Sequence, residues 1–181
     1  MRLEIGMFIW IIMSVRKMRY SSVRKIDITN GPGVRVSLFT QGCAIRCEGC
    51  FNSEIWDYEG GKEWTSEVKK KVIEMCAKPQ ISGLSILGGE PLSQQNFDAL
   101  IDLCESFKER CPHKSIWLWT GYCFEDLNAS QLAMLKYIDV LIDGPWIAEL
   151  GDFSLKYRGS SNQRILDAQK SIEQGKPVLY S

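Results

Sequence analysis

The chain has one histidine, His113, lodged between Pro112 and Lys114. That scarcity excludes the histidine-rich metal sites and leaves little room for a histidine-based acid–base centre. It also lacks a second cysteine pair that could complete a zinc knot with C-x2-C spacing. No internal repeat or low-complexity stretch is present, which excludes solenoids and arrays. Charge of one sign is missing too. Lys and Arg total 22, Asp and Glu total 22, and the net charge is zero. A general nucleic-acid or membrane-surface binder needs a basic excess that this chain does not carry. The longest apolar run, Met7 to Met13, is far too short to span a bilayer. It also lacks the basic start and small-residue cleavage site of a signal peptide, since Arg2 is offset by Glu4 and Arg16-Lys17 follows the run. Residues 1–17 are expected to form an extension outside the core, with one domain over residues 18–181; a short apolar segment packing on the domain or a partner is the rival reading.

What the chain does have is cysteine. Its seven thiols make an odd number in a chain of 181 residues, which speaks against a secreted disulfide framework and for a reducing, cytoplasmic setting. Three of them, Cys43, Cys47 and Cys50, fall within eight residues in the stretch Gly42 to Asn52, at spacing C-x3-C-x2-C. Such a triplet can wrap one corner of a [4Fe–4S] cube. A cube takes four thiolates when fully ligated. Three leave one iron open to bind and activate a small molecule. A zinc-stabilised interaction module and a fully ligated electron carrier are the competing readings. The first needs a second ligand pair and the second a fourth cysteine. Cys76 and Cys104 fall on apolar helix faces and read as small core residues, whereas Cys111 and Cys123 sit near loops.

Hydrophobic content of 45% and charged content of 24% belong to an ordinary globule. Val34 to Thr40 alternates as a strand after the turn Asn30 to Gly33. Thr65 to Ala77 reads as a helix stopped by Pro79. Leu84 to Leu87 is a short buried strand, and Phe97, Leu100, Ile101, Cys104 and Phe107 trace a second amphipathic helix. Ile116 to Thr120 is a third strand. Asn128 caps a third helix with Gln131 at its third position and a Leu127/Leu132 staple. Val140 to Asp143 is a fourth strand. Arg164 to Asp167 and Pro177 to Tyr180 are late strand candidates, with a short helix near Ser171 to Gln174; helix throughout 164–174 is the alternative. Strands alternating with helices predict an α/β fold, an incomplete parallel (β/α) barrel of about five or six strands. Its C-terminal rim would gather the cysteine loop, Gly88 to Pro91, Thr120 to Tyr122 and Asp143 to Pro145 into one site.

The second motif is Gly88-Gly89-Glu90-Pro91. Two glycines at a strand end admit a ligand to the backbone and offer unencumbered N–H groups, and Glu90 offers a carboxylate to an ammonium. A plain tight turn before a helix is the bland reading. Together with Cys43, Cys47 and Cys50, this stretch resembles the radical S-adenosylmethionine superfamily. A closer resemblance, from Met18 onward, is to the activating proteins of anaerobic ribonucleoside-triphosphate reductases. It rests on Asp27 to Val34, Gln41 through Asn52, Gly88 to Leu92, Trp117 to Tyr122, Asp143-Gly144 and Arg158 to Gln163. Gly49, directly before the third cysteine, is the distinguishing position, because most of the superfamily carries an aromatic there. Leu87 departs from the serine common in the family, and the N-terminal extension is unusual.

The resemblance implies an activating enzyme that cleaves S-adenosylmethionine reductively to a 5′-deoxyadenosyl radical and takes hydrogen from a glycine of the reductase. It implies Cys43, Cys47 and Cys50 as ligands of a [4Fe–4S] cluster. Gly49, Cys50 and Phe51 would lie on the adenine side of S-adenosylmethionine, and Gly88, Gly89 and Glu90 on its methionine side. A flavodoxin- or ferredoxin-type electron donor is implied, with no nucleic acid or membrane partner. An activase for another glycyl-radical enzyme, such as pyruvate formate-lyase, is the runner-up within the class. Trp117 and Trp119 share a strand face and read as packing. Asp143 reads equally as a ribose or partner contact and as a buried turn carboxylate; the Arg158–Gln163 run could bind cofactor or partner, or satisfy loop backbone. If Cys104 is a core residue and no ligand, Cys104→Ala costs about 1 kcal/mol of stability. The cluster absorbance of the variant then matches wild type, and a bleached cluster would overturn the ligand set.

Overall fold

The computed structural model describes residues 17–181. The expected extension, residues 1–17, therefore falls outside the described residues except for Lys17. The described chain begins on the core at once. Met18 is buried, and its carbonyl accepts the Trp64 N–H at 3.1 Å.

The elements run β1 (Arg19–Asp27), β2 (Arg35–Thr40), β3 (Lys62–Glu63), α1 (Ser66–Cys76), β4 (Gly83–Gly88), α2 (Phe97–Arg110), β5 (Ser115–Trp119), α3 (Ala129–Leu135), β6 (Val140–Asp143), β7 (Arg164–Asp167) and α4 (Ala168–Gln174). One seven-stranded sheet has the order β3-β1-β2-β4-β5-β6-β7. Strands β2, β4, β5 and β6 are parallel neighbours in chain order. The outer strands are antiparallel. The sheet is open.

The expected α/β fold is present, with four parallel strands where about five or six were expected. Only four are parallel, because only they are joined by helical crossovers. Residues 28–34 between β1 and β2 are too few for a crossover, so β1 returns antiparallel. Strand β1 had no signal in the sequence, since RYSSVRKID has no apolar alternation and its residues are mostly half-buried or exposed. It is held by register against β2 instead. Pro177 to Tyr180 makes only the isolated bridge of Leu179 to Leu166. Arg164 to Asp167 is strand, and the helix begins after it, capped by the Asp167 carboxylate at the Lys170 N–H. The capping box of Asn128 and Gln131 is present at α3.

Alternation along the parallel strands sorts two faces. Val36, Leu38, Leu84, Ile86, Ile116, Leu118 and Leu141 point to the helices, where Val72, Leu100, Cys104, Phe107 and Met134 meet them in one cluster. Right-handed crossovers between successive neighbours put the helices on one side. The opposite face carries a smaller group of Trp117, Val140 and Ile142, flanked by Trp119, Tyr157 and Ile165.

At the start of that second face lies a buried cation. Arg35 has no exposure, and its hydrogen-bond partners among the described residues are neutral oxygens. Its Nε donates to Ser85 Oγ at 2.7 Å and Nη1 to Ser115 Oγ at 3.1 Å. Nη2 donates to the carbonyls of Leu84 at 2.8 Å and Ser115 at 2.9 Å. The guanidinium lies 5.5 Å from the Trp117 ring centroid. Burial lowers its pKa to about 10, which still leaves it charged at neutral pH. Three strands are thus tied at their first residues by one side chain. Arg35→Ala is expected to cost about 3 kcal/mol or more, combining a cavity with stranded acceptors. Arg35→Lys is expected to recover only part, since one ammonium cannot span β2, β4 and β5. Urea unfolding of the cluster-free protein measures both.

Candidate metal centre and cleft

The cysteine loop leaves the end of β2, and its base is pinned before the thiols begin. Gln41 N–H donates to Arg19 O at 3.0 Å, Gly42 N–H to Ile55 O at 2.8 Å and Cys43 N–H to Trp56 O at 3.1 Å. Gln41 Nε2 donates to Asp57 O at 2.8 Å. Within the loop, Gly49 has φ +68°, a left-handed conformation that a side chain rarely adopts. The distinguishing glycine of the sequence is therefore required by the turn that carries the chain from Cys47 to Cys50.

All three thiols are free and half-buried. Burial pushes Cys43 and Cys47 up, opposed by the N–H groups of Arg46 and Ile45 at the first and of Trp146 at the second. Asn52 N–H points at Cys50 Sγ at 3.4 Å. Sulfurs that already face amide donors suit a cationic cluster, whose charge deprotonates a coordinating thiol. Among the described residues no three His, Cys, Asp or Glu side chains surround a single ion position. A cube spreads its thiolates over separate irons and needs no such focus. Cys76, Cys104 and Cys111 are buried in the helix-side core, as the sequence indicated for the first two. Burial raises Cys76 to about 12 and Cys104 further, which keeps both as inert thiols.

The glycine–glutamate stretch does something other than the sequence suggested. Gly89 N–H donates to Thr40 O at 2.9 Å and Glu90 N–H to Gly42 O at 2.8 Å. These donors are not free for a ligand. They weld the end of β4 to the start of the cysteine loop. A Cβ on Gly89 would sit 2.3 Å from the Gly42 oxygen, so the weld needs glycine there.

The Glu90 carboxylate is also engaged, almost fully buried behind the rim. Oε1 accepts from Leu92 N–H and Thr120 Oγ1–H, and Oε2 from Gly121 N–H, each at 2.8 Å. Burial raises its pKa to about 7, even though those three donors favour the charged form. Glu90 therefore joins the β4 loop to the β5 loop.

The four loops expected on one rim do converge. A cleft of about 150 Å³ is lined by Asn52 from the cysteine loop, Leu87 to Gly89 after β4, Trp119 to Gly121 after β5 and Gly144 after β6. Gly88 and Gly89 line it, and Glu90 stands behind it. Phe51 does not line it; its ring lies 4.8 Å from Trp146 and 6.0 Å from Phe153. Trp117 is core, as read, whereas Trp119 belongs to the cleft wall, with its Nε1 donating to Tyr157 O at 2.7 Å. Asn52, Thr120, Gly121 and Gly144 lie within the loops expected on the rim, although none was assigned a cofactor contact, and Trp119 was read as packing.

Asp143 proves to be the buried turn carboxylate. It accepts from Phe124 N–H at 2.8 Å and from Arg164, whose guanidinium also grips Glu125. The Arg158–Gln163 run satisfies loop backbone. Gln163 Oε1 accepts from Gly159 N–H at 2.8 Å and Ser160 N–H at 3.2 Å, while its Nε2 donates to Gly144 O at 3.0 Å. Asn162 Nδ2 donates to Pro145 O at 2.8 Å.

Glu90→Gln puts an amide NH2 against one of three converging donors. Its expected cost is about 1–3 kcal/mol, measured by denaturation of the cluster-free protein so that no cofactor enters the readout.

A family model described as a 4Fe-4S single cluster domain matches residues 29–166. The chain is 44% identical over 150 residues to the anaerobic ribonucleoside-triphosphate reductase-activating protein of Vibrio cholerae, covering 82% of this chain and 97% of that protein. It is 45% identical over 148 residues to the protein of the same name from Enterobacteria phage T4, covering 82% and 93%. The Escherichia coli K12 protein of that name is 40% identical over 150 residues, covering 82% and 97%. With the cluster-domain match spanning the cysteine loop and the rim that faces it, the chain belongs to the family of anaerobic ribonucleoside-triphosphate reductase-activating proteins.

Proposed function

We propose that this protein activates an anaerobic ribonucleoside-triphosphate reductase by abstracting hydrogen from one of its glycines. The observation that carries the reading is the convergence of four strand-end loops on one cleft beside three free thiols. The names of relatives at 40–45% identity over most of the chain support the same target. The electron donor is of flavodoxin or ferredoxin type, and the setting is the cytoplasm. Among the described residues no helix is long and apolar enough to cross a membrane. The working unit is residues 18–181, and its open sheet is the incomplete barrel of the radical S-adenosylmethionine type.

Cys43, Cys47 and Cys50 hold a [4Fe–4S] cluster. When bound, the cluster and S-adenosylmethionine would supply the one-electron reduction and the hydrogen-abstracting chemistry directed at a glycine Cα–H. The rest of the chemistry is positioning by this chain. Gly88, Gly89 and Glu90 form the methionine side. With the Gly89 and Glu90 N–H groups spent inside the protein, their part is to fix the wall of the cleft, and an ammonium would meet backbone carbonyls or the one lone pair that three donors leave on Glu90. Gly49, Cys50 and Phe51 form the adenine side. Trp119 gives the cleft an apolar wall that keeps water from a reactive centre, and it packs on the buried Trp117, Val140 and Ile142.

Cys43→Ala, Cys47→Ala and Cys50→Ala are each expected to lose the cluster's visible absorption and to drop 5′-deoxyadenosine formation at least a hundredfold. Cys123→Ala retains both. Anaerobic reconstitution followed by product quantification reads the result. Wild type yields a glycyl radical on the reductase and none on pyruvate formate-lyase; the reverse pattern refutes the assigned target.

A further inference from the structure

Beside the cleft the surface is apolar where a rim loop has no internal need for it. Phe51 is 62% exposed and Phe153 is 96% exposed, yet their rings are 6.0 Å apart, and the Phe51 ring also lies 4.8 Å from Trp146. Ile147 and Leu150, in the same connection as Phe153, are 36% and 42% exposed. The patch comes from two segments, the cysteine loop and the connection between β6 and β7.

That connection is held in shape. Ser161 N–H donates to Leu150 O at 2.8 Å, and Asp152 N–H to Gly159 O at 3.0 Å. Gly151 and Ser160 form an antiparallel bridge, and the Gln163 and Asn162 side chains hold its two ends. Gly151 and Gly159 leave room for the Trp146 ring, since a Cβ at either would lie within about 3 Å of it. A loop braced in this way presents its aromatic rings without an ordering cost on binding. Exposed aromatic clusters on a rigid frame are the pattern of interface anchors.

Position selects the occupant. Asn52 and Gly144 line the cleft. Phe51 directly precedes the first, and Trp146 follows the second by two residues, so the patch adjoins the cleft. Of the other exposed apolar residues, Ile26 and Ile28 lie by the start of β2, at the opposite end, and Leu179 and Tyr180 lie on the C-terminal segment beside β7. A loop that carries a backbone glycine into the cleft passes the residues beside it. We propose that the patch docks the partner reductase, receiving the apolar flank of the loop that carries the target glycine; this rests on the activating function proposed above.

The test uses the reconstituted holoenzyme with Phe153→Ala and Leu150→Ala, singly and combined. Neither residue touches the cleft, and both are exposed enough to be truncated without a cavity. The combined variant is expected to bind the reductase at least tenfold more weakly in an anaerobic fluorescence titration. It is expected to make 5′-deoxyadenosine at the wild-type rate without reductase. Its glycyl-radical signal falls at limiting reductase and recovers at saturation. An unchanged affinity overturns the proposal. So does an unchanged affinity accompanied by lost self-association, which would assign the patch to a second copy of this chain. Wild type that binds the reductase but yields no glycyl radical defeats the activating function alone, and the affinities still decide the patch. Wild type that does not bind defeats both.

Discussion

The buried carboxylate of Glu90 is the constraint on which the site depends. Its own N–H reaches back to Gly42 at the base of the cysteine loop, and its side chain reaches forward to Thr120 and Gly121 after β5. One residue thus ties together the ends of β2, β4 and β5. A carboxylate so enclosed is costly to keep charged, and its pKa near 7 expresses that cost. Three donors converging on it offset much of the penalty. The arrangement holds only because Gly89 lets two backbones approach within hydrogen-bonding distance.

Arg35 is the counterpart at the other end of the same strands. It binds β2, β4 and β5 at their starts through neutral acceptors, as Glu90 binds their ends through its own N–H to Gly42 O and through neutral donors from Thr120 and Gly121. Between them lies a short apolar floor built on Trp117, Val140 and Ile142. A reaction that places an unpaired electron on carbon needs walls that do not shift and a base that excludes water. Two oppositely charged clamps with an aromatic layer between them meet that need without any bond between the charges.

A third clamp shapes the far rim. Arg164 bridges Asp143 at the end of β6 to Glu125 in the turn after β5, and its pKa is raised by both carboxylates. From that anchor the β6–β7 connection swings over the cysteine loop and brings Trp146 against Phe51. The polar run Arg158 to Gln163 spends its hydrogen bonds inside this connection. The same residues that make it look like a binding segment in the sequence are what let it stand without a helix of its own.

The sequence by itself determined the chemistry and the parallel centre of the fold. Three thiols at C-x3-C-x2-C, glycine before the third and Gly-Gly-Glu-Pro after a buried strand are local patterns, and the spacing of one loop carries their meaning. The strands β2, β4, β5 and β6 were legible because both faces are buried, and the helices because their apolar faces repeat with the helical period. Tertiary structure alone decided the rest. Strand β1 has no pattern of its own and exists because β2 offers it an edge. The Gly89 and Glu90 N–H groups read as free until Thr40 and Gly42 are seen beside them. Phe51 and Phe153 are about a hundred positions apart, and Trp119 could not be told from its neighbour Trp117 by alternation. Hydrogen-bond satisfaction and the sharing of a surface are properties of pairs brought together by the sheet register, and a linear pattern records only one member of each pair at a time.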